Sequence, residues 1–290
     1  MYDNITSINR LGHCNQWLFE PLSRYYICYN IHSNITQGGW VYMSEDNIIK
    51  DRIKKKIEPG MYIVPHSTPV IYFGDYNSAR ACTISLNPSN LEFVDKSGEL
   101  LELDKERLCS RKTLKKTDND YLTDEDAEKV LKCCKNYFGD RSYKSWFGPF
   151  NKFVEHYGEY SYCKGTCVHL DLVQWATYEK WDKIREDIRE KHLKNDLPIL
   201  KYLLEKDFEI MFLNGKTVIK NVCSRPCLNI KLEEKTIPFT ETQKVTIYYG
   251  KYNNIKVVGW NLYLQSAACA GKEKRLCDLI KQILAFWKLP

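Results

Sequence analysis

No apolar run in this 290-residue sequence is long enough to cross a membrane. The opening MYDNITSINR lacks the apolar core of a secretory signal. A cytoplasmic protein with reduced thiols is therefore expected, although there are 12 cysteines. No sequence repeat is present, which excludes a solenoid, and no low-complexity tract breaks the chain. The tight C-x2-C spacing of zinc and cluster sites is also missing. Cys163/Cys167 and Cys223/Cys227 are C-x3-C pairs, and Cys133-Cys134 falls in a helical pattern. Buried free thiols are expected, with no metal and no cofactor. Charge of one sign is not in large excess: the formal net charge is +6, from 43 basic and 37 acidic residues. An anionic partner must therefore meet a local patch.

The composition supports a real core, with 43% hydrophobic residues. The length suits one large α/β domain, residues 61–290, with residues 1–60 as an N-terminal extension packed on it. Aromatics are abundant at 13%. Many belong to the core, and such a composition also suits stacking on nucleic-acid bases. The extension holds Trp17, Phe19, Tyr25, Tyr26, Tyr29, Trp40 and Tyr42 among turn residues.

The most informative stretch is ACTISLNPSNLEF, Ala81 to Phe93. It opens as a buried strand with Cys82, Ile84 and Leu86, and stops at Asn87-Pro88-Ser89-Asn90. Pro88 keeps Asn87 out of the helical region, at the strand's carboxyl end. Further strands are expected at 166–172 (TCVHLDL) and 208–213 (FEIMFL), with 245–249 and 255–260 forming a hairpin or a final strand with its lead-in. Met61 to Tyr72 reads as an extended lead-in.

Thr123 with Asp126 predicts a capped helix over 124–138. Others are expected at 143–157, interrupted near Gly148-Pro149, at 179–194, after Asn195 with Pro198 in its first turn, at 216–222 and at 271–287. Strands alternating with helices give an α/β fold with a short parallel sheet. The main strands then end at Asn87-Pro88-Ser89, Asp171, Asn214-Gly215 and Asn261 to Ser266. Parallel strands bring these four ends to one cleft.

The motifs SLNPS, DLVQWAT, LNGKTV and NLYLQSA, in that order, resemble the uracil-DNA glycosylase superfamily across residues 70–287. The fuller signature is similar to the bacterial bacteriophage-replication-inhibition DNA glycosylases, which attack glucosylated 5-hydroxymethylcytosine in phage DNA. The resemblance implies a three-layer sandwich with a short, mostly parallel central sheet flanked by helices. It implies a monomeric, monofunctional DNA glycosylase that flips out a modified cytosine of double-stranded DNA and leaves an abasic site. Two departures stand out: Asp171 replaces the base-reading Asn, and Gln265-Ser266 stand near the place of the last loop's His.

Glycosidic cleavage needs an extrahelical base, stabilisation of oxocarbenium character, and a held water. Asn87 is the candidate for holding the water. Asp171 is the candidate base reader, since a carboxylate accepts from the cytosine N4 amino group. A helix cap or structural ion pair is its alternative role. Pro88 and Ser89 shape the loop. Phe93 and Trp175 are candidates for stacking on the base or for core packing. Asn214 shapes its turn. Asn261, Gln265 and Ser266 are candidates for substrate and phosphate contacts, or Ser266 for a cap. Arg107, Arg111, Lys112 and Lys115 form a basic cluster suited to the DNA backbone. Competing readings are a repair glycosylase for uracil or another deaminated base, a non-catalytic nucleic-acid-binding module, and a metal-dependent nuclease using Asp75, Glu92, Asp95 and Asp171.

Overall fold

Five-residue strands buried along their whole length form the middle of the molecule. They are β1 (Ala81–Ser85), β2 (Cys167–Asp171) and β3 (Ile210–Asn214). Strands covered on both faces read as apolar runs, which is why ACTIS and IMFLN carry so little polar alternation. The computed structural model describes residues 45–286 except residue 140. The expected N-terminal elements before residue 45 lie outside the described residues.

The sheet has six strands in the order β2-β1-β3-β6-β5-β4. The first four run parallel, with β6 (Ile255–Trp260) beside β3. β5 (Lys244–Tyr252) turns back on β6 as an antiparallel hairpin, so both readings of 245–260 hold at once. β4 (Lys231–Pro238) closes that side antiparallel to β5. It has no expected counterpart in the sequence, because its residues are mostly exposed and charged. Lysines and glutamates on such an edge discourage pairing with other chains. The opposite edge is covered by the segment before β1. There Val64 and Val70 donate to Ala176 and Gln174, and Phe73 exchanges backbone hydrogen bonds with His169 on β2.

Six helices are described: α1 (Glu45–Ile53), α2 (Asp124–Lys135), α3 (Lys144–Gly158), α4 (Glu186–Leu203), α5 (Lys216–Cys223) and α6 (Glu273–Phe286). The arrangement fits a three-layer α/β sandwich. α2 starts as its sequence predicts: Thr123 accepts from Asp126 N–H, and the Asp126 carboxylate accepts from Thr123 N–H. Two expected breaks do not occur. α3 runs through Pro149 and α4 through Pro198 as single helices. Each proline is enclosed by residues that bury the helix, Phe147, Phe150 and Phe153 on α3 and Leu193, Leu197 and Leu200 on α4. Tertiary packing outweighs the roughly 3 kcal/mol cost of an interior proline. The charged stretch from 179 also begins its helix later than expected, after a single 3-10 turn at Trp181–Lys183.

α1 belongs to this body. Ile53 is fully buried, and Arg52 is ion-paired with the buried Asp196 of α4. Burial raises the Asp196 carboxyl to about 6 even against the Arg52 charge. Asp196 also accepts from Gln174 N–H, in the loop that follows β2. The link therefore ties α1, α4 and that loop together.

Gly215 joins β3 to α5 at φ +97, and a Cβ there would meet the Tyr263 ring at 2.5 Å. We expect Gly215→Ala to cost at least about 1–3 kcal/mol, the backbone contribution, with the Tyr263 clash adding to it. Urea unfolding of the two chains checks this value.

Candidate functional site

The strand register assembles the site. Side chains alternate across a sheet, so Thr83 and Ser85 share one face of β1, and His169 and Asp171 one face of β2. α3 covers that face: Phe147 and Phe150 pack on His169, and Phe153 packs on Phe212 and Trp260. Ser85 pairs in register with Asp171, Ile84 with Leu213, and Asn214 with Trp260. The last layer of this face is thus one row, Asp171, Ser85, Asn214, Trp260, across four parallel carboxyl ends.

The two halves of the row differ chemically. On the Asn214 side every polar atom has a partner. Its Oδ1 accepts from Trp260 Nε1 at 3.0 Å and Leu264 N–H at 3.1 Å, and its Nδ2 donates to Gln265 Oε1 at 3.1 Å. Gln265 in turn donates to the Trp146 carbonyl. On the Asp171 side, Ser85 Oγ, Asp171 Oδ1 and Gln174 Oε1 are buried with no protein partner. Leaving such groups unpaired costs about 1–3 kcal/mol each, which marks this half as the chemically available one.

Behind Asp171 lies a buried polar chain. His169 Nε2 is 3.5 Å from Asp171 Oδ1, without hydrogen-bond alignment. His169 Nδ1 is 2.7 Å from Thr83 Oγ1, which is 2.7 Å from the Tyr162 hydroxyl. Burial raises the Tyr162 pKa well above the usual tyrosine value, which keeps the phenol as a proton donor. When that proton goes to Thr83 and the Thr83 proton to Nδ1, the imidazole proton sits on Nε2, facing the carboxylate.

Asn87 stands two residues past Ser85. Its Nδ2 donates to Thr177 Oγ1 at 3.0 Å and to Pro88 O at 3.1 Å. The Thr177 hydroxyl proton goes to Glu179 O at 2.9 Å, so Thr177 can only accept from Asn87. That fixes the amide orientation and leaves Asn87 Oδ1 as a free acceptor. Ser89 Oγ caps the following 3-10 turn, Asn90–Glu92, by accepting from Leu91 N–H. Pro88 is buried beneath the loop.

That turn delivers a residue the sequence reading left to a nuclease. Glu92 is 2% exposed and accepts from the Tyr137 hydroxyl at 2.7 Å. Burial raises its carboxyl to about 7, opposed by the Tyr137 hydrogen bond and the Arg107 charge and reinforced by the Asp171 charge. Two of the other nuclease carboxylates are engaged elsewhere. Asp75 binds Ser78 and Lys135, and Asp95 closes a turn with Ser97 and Glu99. Among the described residues, no three His, Cys, Asp or Glu side chains gather as a metal site.

Several expected contacts fall elsewhere. Arg111 is not a phosphate contact: it is 0% exposed and donates to the carbonyls of Ser67, Thr117, Asp120 and Lys55. A guanidinium with five donors can hold together three loop segments, around Lys55, Ser67 and Thr117 to Asp120. Arg107 donates to Leu91 O at 2.5 Å and lies over the Tyr143 ring, bracing the Asn90–Glu92 turn. Lys112 and Lys115 are exposed as expected.

Phe93 and Trp175 are core residues, 2% and 3% exposed, and the Arg52 guanidinium covers the Trp175 ring. Asn214 is fully buried, and Gln265, half-buried, braces it. Asn261 holds β6 to Thr246 on β5, and Ser266 donates to Tyr263 O. His169 and Ser85 were missed, although each had a signal. His169 lies two residues before Asp171 on the same face of β2, and Ser85 two residues before Asn87.

Because the Glu92 pKa is raised on folding, the native chain holds an extra proton between about 4.5 and 7. Stability therefore falls as pH rises through that window, and the loss is complete above it. Glu92→Gln should raise the thermal midpoint relative to the native chain at about pH 8, and much less at about pH 5. Equal shifts at both pH values would show that Glu92 titrates as a free glutamate.

No described helix is long and apolar enough to cross a membrane. No protein-family model and no curated protein matches the chain, so the reading of this row rests on its own geometry.

Proposed function

We propose that the chain is a cytoplasmic DNA glycosylase that excises a modified cytosine from double-stranded DNA, in defence against phage. The observation that carries this reading is the pairing, at neighbouring carboxyl ends, of an Asn whose free atom is an acceptor with a buried carboxylate whose Oδ1 has no partner. The motif resemblance to the uracil-DNA glycosylases supports the same assignment, and the departure at Asp171 points to the base. A carboxylate repels O4 of uracil but accepts from N4 of cytosine. The closed surroundings of Asp171 strengthen that discrimination, because an unmatched acceptor there cannot fall back on water.

The roles follow from the geometry. The flipped base presents its Watson–Crick edge to Asp171, with Ser85 Oγ as a neighbouring donor or acceptor. Tyr162 and Thr83 hold the His169 ring, whose Nε2 lies 3.5 Å from Asp171 Oδ1. Departure of the base leaves positive charge on the sugar. Asn87 Oδ1 holds the water that adds to it, by position rather than by basicity. No metal enters this scheme. The product is an abasic site.

Release of bases from DNAs carrying cytosine, uracil, 5-hydroxymethylcytosine or its glucosides, read by mass spectrometry and alkali-induced strand cleavage, tests the assignment. We expect a modified cytosine to be released and EDTA to have no effect. Direct nicking that needs metal, or binding without release, would overturn it. Under single-turnover conditions Asn87→Ala should lose at least about 100-fold in rate while folding normally. Asp171→Asn should release less of the cytosine-type base, and full activity in that variant would make Asp171 structural.

The exposed Lys112 and Lys115 are the lysines of the cluster left for phosphates. Lys112→Glu with Lys115→Glu should weaken DNA binding and flatten the slope of log affinity against log salt by about 2. Fluorescence anisotropy at several salt concentrations measures the slope.

A further inference from the structure

The loop after β2 carries a buried polar group that the reaction scheme above leaves unused. Gln174, three residues past Asp171, is 0% exposed. Its backbone is held on both sides: the N–H donates to Asp196 Oδ2 at 3.2 Å, and the carbonyl accepts from Val70 N–H at 2.7 Å. Just before it, the Leu172 and Val173 N–H groups donate to the Ser85 and Leu86 carbonyls, which carries the β1–β2 pairing into the loop. The side chain turns back, and its Nε2 donates to the Asp171 carbonyl at 3.4 Å. A carbonyl oxygen only accepts, so the amide nitrogen faces it and Oε1 is left as the free atom. That oxygen is buried with no protein partner, as is Asp171 Oδ1.

Resting on the glycosylase assignment of this site, we infer that Gln174 Oε1 is a second reader of the base, accepting from the same exocyclic amino group as Asp171. Two buried acceptors joined through one side-chain contact call for a ligand that brings two hydrogens. The N4 amino group of cytosine carries both on one atom, and Asp171 takes one of them. Uracil has no hydrogen at that position. Turning the carboxamide to offer Nε2 to a uracil O4 would set Oε1 against the Asp171 carbonyl, two acceptors face to face. Gln174 therefore adds to the discrimination that Asp171 makes. A loop stitched on both sides suits this role, because a reader free to move could not reject the wrong base.

Stability separates this role from a structural one. A glutamine that braces the loop, or whose oxygen is satisfied by a buried water, contributes to the folded state, and its removal lowers stability. An acceptor kept unpaired for a ligand costs stability in the free protein, and its removal does not. Methionine matches the length of glutamine without its carbonyl, and leucine replaces it with a branched apolar chain.

The test compares the full native chain with Gln174→Met and Gln174→Leu, by thermal unfolding and by single-turnover release from a duplex carrying the cytosine-type base. At least one variant should keep the native thermal midpoint or exceed it. In that variant release should fall about tenfold, the worth of one neutral hydrogen bond to the base. A lower midpoint in both variants would make Gln174 structural and overturn the proposal. A native release rate in a variant with a native midpoint would overturn it too, while leaving the glycosylase assignment in place. A native chain that releases no base at all would overturn that assignment and the role of Gln174 with it.

Discussion

A parallel sheet covered on both faces can present polar chemistry only at its ends, and the rest of this structure follows from that constraint. β1, β2 and β3 are buried along their full length, so a polar side chain within them must find a partner or stay unpaired at a cost. Thr83 and His169, one layer down, find each other. Ser85 and Asp171, in the last layer, do not. The sheet register makes those two residues neighbours, and the Asn87 loop continues directly from the same strand.

The two ends of the strand row show how one scaffold separates bracing from chemistry. Asn214, Trp260 and Gln265 form a closed hydrogen-bonded set that fixes the turn after β3 to the loop after β6. A rigid half of this kind holds the open half in register, since the strands that carry both are hydrogen-bonded side by side. The same division recurs among the cations. Arg111 is buried and Arg52 half-buried, and both join segments remote in sequence; Arg107 braces a turn, and Lys112 and Lys115 remain exposed. Arginine suits the first role because its planar fork reaches several acceptors at once.

Glu92 links the two themes. It enters the interior on the turn that follows Asn87-Pro88-Ser89, and Tyr137 and Arg107 hold it from the α2 side. Arg107 also lines the cavity beside Cys133.

The sequence by itself determined the four buried strands with their polar ends, the capped start of α2, the amphipathic α6 and the α/β class. All of these are written in local periodicity and turn chemistry. It also marked Asn87 and Asp171, because each closes a strand. Only the tertiary structure decided which polar residues are free. Asn214, Gln265, Asn261 and Arg111 look as available as Asn87 in sequence, but their partners lie far along the chain. Their engagement is fixed by register and packing that no local pattern encodes. For the same reason Phe93 and Trp175 became core, and Pro149 and Pro198 were absorbed into helices. The role of Glu92 came from burial, a property of the whole fold rather than of the residues beside it.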